Sequence, residues 1–407
     1  MQPTSPATIT EPAPKAGGEI LVAVEAGGGS AASSLRERIA ERFPGCTATV
    51  LVAAGAGEPV LVDAGHGSTS ARDPLMPGLV GGGIAGHLSV LRALLGEADR
   101  RGAVAAALLS SGAHDEEADW LALLLQPVLA GTFDFVCPSY RRERFDGMLN
   151  TAIVYPLVRA LFGRQLRQPV GGELGVSLPL ARALLRDPAW GSDPAHAGSD
   201  AWLVASVLRG RFRVCQAWLG RRPDDPGPPE DASHTLERVV GPVFHEMDRH
   251  AERWQRLEGS EPVPSFGCAE LLDGRRVEAD ARALEEAFRL GLSELGSVWG
   301  LVLPPATLLA LRRCAAAPAG RVRLDDARWA RIVYDFAVAH SIRTVERHQL
   351  LHSMTPLYLG WVAGFVQDVR DASVAGVEAR VEALCLAFER EKPYAVARWR
   401  WPDGFNP

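Results

Sequence analysis

The feature that most constrains this 407-residue chain is a change of period along its length. Up to about residue 220, short runs of strand formers alternate with helical patterns, the sequence habit of a parallel sheet crossed by helices. The spans 19–25 (EILVAVE), 47–53, 103–109, 134–137 and 212–217 read as strands, and 30–43 and 84–100 as helices. From Arg221 to His234, RRPDDPGPPEDASH interrupts all periodicity with proline, glycine and acids. Beyond it, Val277, Ala281, Leu284, Phe288, Leu292 and Leu295 recur every three or four residues, one face of a helix. That spacing returns at Trp329, Ile332, Val333 and Phe336, and at Val377, Val381, Leu384 and Phe388. The expectation is a disordered tail over 1–18, an α/β domain of nucleotide-binding layout over 19–235, and a mainly α-helical C-terminal domain over 236–407.

Charge narrows the partners. Lys plus Arg total 43 against 49 Asp plus Glu, a formal net charge of −6 that supplies no field for nucleic acid or an anionic membrane. Cysteines at 46, 137, 215, 268, 314 and 385 stand singly, with neither a Cys-x-x-Cys zinc pair nor a dense disulfide framework, which points to a reducing compartment. The first residues lack the basic patch and apolar run of a signal peptide, and no apolar run approaches the roughly 20 residues of a membrane span. A cytoplasmic protein is expected, with no nucleic acid and no membrane span.

Several local patterns resemble chemistry without meeting its spacing. His245, Glu246, Asp248 and His250 have a metal-like composition, but the two histidines are five apart rather than the four of His-Glu-x-x-His, so a solvated helix face is expected. Gly27, Gly28 and Gly29, and later Gly81, Gly82 and Gly83, fit no phosphate-binding fingerprint and read as flexible loops. His114, Asp115, Glu116, Glu117 and Asp119 follow the third strand, where α/β proteins place ligands, although acids there also suit the positive end of the next helix.

The run FDFVCPSYRRERFDGMLNTAIVYPLVRALFGRQLRQPVGGELGVS from Phe133 is more informative. With GSDAWLVASVLRGRFRVCQAWLG, WARIVYDFAVAH, TPLYLGWVAGFV and FEREKPYAVARW, it resembles the GT-A glycosyltransferases similar to mannosylglycerate and glucosylglycerate synthases, across most of residues 20–400. The resemblance implies a GT-A-like, Rossmann-like domain for a nucleotide sugar, in which a divalent metal held by an Asp-x-Asp pair and a later histidine neutralises the departing diphosphate. On the acceptor side it implies that Arg142 holds the carboxylate of a small acceptor, that Asn150 assists, and that Arg164, Arg167, Gln168, Gly171 and Gly172 form the Arg-Gln-Pro-x-Gly-Gly motif. Asp200 matches the position near the reacting sugar and is the catalytic candidate. A guanidinium suits carboxylate or phosphate through paired hydrogen bonds, and the alternative for Arg164 and Arg167 is a structural ion pair with Glu173 or another acid.

The donor side departs from the family. The Asp pair falls on Ser110 and Gly112, and the histidine falls on Asp224. AVEAGGGSAASS and AAGAGEP stand where relatives carry the nucleotide loop and an acidic turn, and His87 replaces the lysine of a Gly-Lys-Gly. The expected function is therefore a degenerate pseudoenzyme acting as a binding, regulatory or partner subunit, with no cofactor. A small anionic ligand, a protein partner or a homo-oligomer is compatible with it. The alternative is an active transferase to a small carboxylate acceptor, with a Mg or Mn clamp rebuilt from Asp115, Glu116, Asp224, His114 or His87, of which His87 and Asp115 are the donor-binding candidates.

Overall fold

The computed structural model describes residues 17–24, 29–54, 60–63, 84–109, 117–141, 145, 147–169, 171–192, 196, 199–210, 212–221, 231–267 and 280–402. The N-terminal part contains β1 (Glu19–Val24), α1 (Gly29–Arg42), β2 (Thr47–Ala54), β3 (Val60–Asp63), α2 (Ile84–Arg101), β4 (Ala105–Leu109), α3 (Glu117–Leu129) and β5 (Phe135–Arg141). A π-helical turn at Asn150–Val154 leads into α4 (Tyr155–Phe162). There follow β6 (Arg164–Gln165), β7 (Leu174–Ser177), α5 (Leu178–Leu185), α6 (Ala189–Ser192), α7 (Asp200–Arg209), β8 (Val214–Arg221), α8 (Ala232–Arg249), α9 (Ala251–Trp254), β9 (Glu261–Pro262) and β10 (Ser265–Phe266). The C-terminal region is helical: α10 (Ala281–Val302), α11 (Pro305–Ala315), α12 (Asp326–Ile342), α13 (Arg347–Val369) and α14 (Val374–Arg400).

Eight strands form one sheet in the order β10-β8-β5-β7-β4-β1-β2-β3. The sheet is mixed rather than wholly parallel. β1 runs parallel to β2 and β4, and β8 runs parallel to β5 and β10, but β3 is antiparallel to β2, and β7 is antiparallel to both β4 and β5. The central strands are apolar on both sides, as strands covered by helices on both faces must be. Ile20 and Val22 of β1 join Leu35 and Ile39 of α1 on one face, while Leu21 and Ala23 join Leu91 and Leu94 of α2 on the other. β4 alternates in the same way, with Ala105, Ala107 and Leu109 opposite Ala106 and Leu108.

The α2 face carries the helical region, and one apolar core runs from Leu21 through to Ala395. Trp329 of α12 is fully buried, stacks with Trp361 of α13, and donates its indole N–H to the carbonyl of Ala152 in the π-helical turn at 2.9 Å. From α14, Lys392 Nζ donates to the carbonyls of Ala160 and Leu257 at 2.6 and 2.7 Å, and burial pushes its pKa down to about 8. Arg159 of α4 answers from the other side, with Nη1 and Nη2 on Glu382 at 2.5 and 2.8 Å and Nε on Glu389 at 2.7 Å. Among the described residues, no helix is long and apolar enough to cross a membrane.

Candidate functional site

In a doubly wound sheet, ligands sit beyond the carboxyl ends of the strands where the chain leaves in opposite directions, here between β1 and β4. The segments that follow those two strands, 25–28 and 110–116, lie outside the described residues. Ser110, Gly112, Asp115, Arg142 and Asp224 lie outside them too, as do the glycines at 81–83 and the His87 side chain, although His87 falls within α2.

The acceptor-side run is described from Arg164 to Pro169 and again from Gly171. Gln168 is buried and spans the backbone of Tyr140: its Nε2 donates to the Tyr140 carbonyl at 2.7 Å, and its Oε1 accepts from the Tyr140 N–H at 3.1 Å. The Gln168 carbonyl in turn accepts from Cys137 Sγ at 3.3 Å. The Arg167 N–H donates to Gln216 Oε1 of β8 at 2.6 Å, and the Arg167 carbonyl accepts from Asn150 Nδ2 at 2.9 Å. The Arg167 guanidinium lies 5.2 Å over the Tyr155 ring and grips Glu378 of α14 through two nitrogens at 3.1 and 3.3 Å. Arg164 is half exposed and pairs with Glu261 at 2.9 Å beside the short β6–β9 ladder.

The two glycines that follow have conformational reasons to be there. A Cβ on Gly171 would come within 2.3 Å of the Pro138 side chain, and Gly172 adopts φ +88°, the left-handed region that disfavours side chains. Together they turn the chain back so that β7 enters the sheet reversed. Asp200 opens α7 next to the capping residue Ser199. Its charge adds to burial, the larger cause, in pushing the Cys137 thiol up. Asn150 Oδ1, Ser139 Oγ and Trp202 Nε1 are buried around this region without a hydrogen-bond partner among the described residues.

Two histidine–glutamate clusters occur on α8. Glu246 is almost fully buried, with His196 Nε2 at 2.8 Å, His250 Nε2 at 3.0 Å and Arg249 at 3.0 Å, and the ring of His245 lies 4.1 Å from that of His196. The solvated helix face expected for residues 245–250 is thus only partly solvated: Glu246 is buried, His245, Asp248 and His250 are half-buried, and Arg249 is exposed. The apolar stripe of α8 turns Glu246 inward, and His196, far away in sequence, completes the cluster. Burial raises the Glu246 carboxyl, but hydrogen bonds from His196 and His250 and the Arg249 charge outweigh it and bring the pKa down to about 2.

The second cluster faces outward. His234 and Glu237 of α8 and His352 of α13 bring three potential ligand atoms within 4.8 Å of one another. Glu237 Oε2 accepts from both His348 Nδ1 and His352 Nε2 at 2.9 Å, and the His348 and His352 rings are 4.0 Å apart. Sequence spacing does not single these residues out. The available signals are a His-x-x-Glu and a His-x-x-x-His, each on one helix face, but they stand more than a hundred residues apart and only the α8–α13 packing joins them.

No family model matches the chain, and no curated protein matches it in sequence. Among solved structures it is distantly similar to glucosyl-3-phosphoglycerate synthase from Mycobacterium tuberculosis, in a complex with Mn2+, UDP-glucose and phosphoglyceric acid. The identity is 16% and the TM-score 0.34, covering 58% of this chain and 80% of that one. A likeness of that size leaves activity to be argued from this chain's own residues.

Proposed function

We propose that this chain is a GT-A-like relative of the mannosylglycerate and glucosylglycerate synthases that has lost sugar transfer and serves as a non-catalytic binding or partner subunit in the cytoplasm. The observation that carries this reading is the engagement of the acceptor-side run. Gln168 is consumed by the Tyr140 backbone, and Arg167 is held between Tyr155 and Glu378, so persistence of the motif has a structural explanation without an acceptor. The donor side adds support from sequence. Ser110 and Gly112 supply no carboxylate where an Asp pair would hold a metal against the departing diphosphate.

Loss of that clamp removes several kcal/mol of transition-state stabilisation, and about 1.36 kcal/mol is tenfold in rate, so turnover falls by orders of magnitude. The test is release of nucleoside diphosphate from UDP-glucose or GDP-mannose, with glycerate or phosphoglycerate as acceptor and Mn2+ present. No release above a protein-free control is expected. Mn2+-stimulated release that is abolished by Asp115→Ala or Asp224→Ala would replace this reading with an active enzyme whose clamp has been rebuilt.

A further inference from the structure

The outward-facing cluster on α8 and α13 has the composition of a transition-metal site. We propose that His234, Glu237 and His352 bind one zinc-class divalent ion, with His348 as the outer partner that orients the Glu237 carboxylate. The site uses none of the residues at the family's donor-side metal position, and it stands whether or not the chain transfers sugar.

Three features support it. The first is ligand type: two imidazoles and one carboxylate form a set that zinc accepts, with a fourth position left for water, whereas Mg2+ and Mn2+ favour oxygen-rich shells that this cluster does not supply. The second is spacing. Zinc–nitrogen bonds of about 2.0–2.1 Å in a tetrahedron put ligand atoms about 3.3 Å apart. The Glu237 Oε2 to His352 Nε2 separation of 2.9 Å is slightly below that, and the 4.8 Å bound on the whole set is above it, so modest side-chain rotations reach the geometry. His234 is exposed, so little packing resists such a rotation. The third is support. The ligands sit on two long helices packed against each other, i and i+3 on α8 and outward on α13, and His348 supplies the second hydrogen bond that fixes the carboxylate. An ion there would staple the helix that follows β8 to the centre of the helical region.

The test uses the full, tag-free chain stripped with chelator. Zinc is titrated against a competing chromophoric chelator, and Co2+ is added separately for its visible absorption. One zinc per chain, bound more tightly than about 10 μM, and an intense tetrahedral-type cobalt band are expected. His234→Ala and His352→Ala should each weaken zinc by about a hundredfold or more, and His348→Ala by about tenfold. Zinc should raise the melting temperature of the native chain and not that of His352→Ala. If His352→Ala fails to fold, His234→Ala at its exposed position decides the question in its place. Binding weaker than about 10 μM, or zinc affinity unchanged in His234→Ala, overturns the proposal.

Discussion

The acceptor-side run and the α8–α13 face use similar polar residues in opposite ways. Between Asn150 and Gly172, the Asn150 and Gln168 amides are buried against backbone, Arg167 is held between Tyr155 and Glu378, and Arg164 lies in the open; the run joins β5, β8, α4 and α14. On the α8–α13 face the side chains are partly exposed, and their hydrogen bonds leave metal-capable atoms close together. Burial and saturation, rather than residue type, separate a group that holds the fold from one that is available to a ligand. The two glutamates of α8 differ in the same way within one helix. Glu246 is enclosed by two histidines and an arginine, whereas Glu237 is a third exposed.

The contrast is broken most severely at Arg159, whose buried guanidinium links α4 to Glu382 and Glu389. Arg159→Ala removes the buried end of pairs whose Glu382 carboxylate is half exposed and whose Glu389 carboxylate is mostly buried, and should cost about 3 kcal/mol in denaturant unfolding, chiefly through the lost charge-assisted hydrogen bonds and packing of the guanidinium. Acid titration comes next. With Glu246 lowered to about 2 from an ordinary 4.5, its contribution is present above pH 4.5 and lost as pH falls toward 2. Burial and the nearby Arg347 hold His340 near 4, so its contribution is also lost as pH falls, from 6.5 to 4. Asp335 has the opposite sign. Burial raises it to about 6 despite hydrogen bonds from Arg398 and Tyr394, so stability is lost as pH rises from about 4 to 6. Glu246→Gln should flatten the acid limb below pH 4.5, an effect on the order of 3 kcal/mol in pH-dependent unfolding, and Asp335→Asn should remove the opposing slope.

A smaller effect is expected at Gln168. Gln168→Ala leaves the buried Tyr140 N–H and carbonyl without their partner and should cost about 2 kcal/mol. Arg164→Ala, at an exposed pair with Glu261, should change stability by less than about 0.5 kcal/mol. His352→Ala in the presence of chelator belongs at this small end, and a large loss there would make the α8–α13 face a structural lock like the acceptor-side run.

Much of the architecture is legible in the sequence because period is a backbone property. The strands at 19–24, 47–54 and 105–109, the helices at 29–42 and 84–101, and the helical C-terminal region follow the alternation and the 3.6-residue spacing. β7 escapes a reading by period, because LGVS is four residues long and pairs only after the Gly171–Gly172 reversal, and without that antiparallel strand the pattern implies a parallel sheet. β3 and β10 are too short to carry a pattern. Motif resemblance locates the 164–172 run, but which acids meet its arginines depends on how α14 and β9 pack, information that lies about a hundred to two hundred residues away. The metal-like histidines at 245–250 stand out by proximity in sequence, while the residues whose ligand atoms lie close enough for one ion sit on two separate helices.

The most direct test joins stability to binding at Arg167. Unfolding midpoints of the native chain and Arg167→Ala would be measured beside calorimetric titrations of both with phosphoglycerate and with nucleotide sugar plus Mn2+. If the run holds the fold rather than an acceptor, Arg167→Ala lowers the midpoint, through loss of the Glu378 pair and the Tyr155 contact, and no acceptor or donor binding depends on this residue. An unchanged midpoint, together with native binding of acceptor that disappears in Arg167→Ala, would contradict that role.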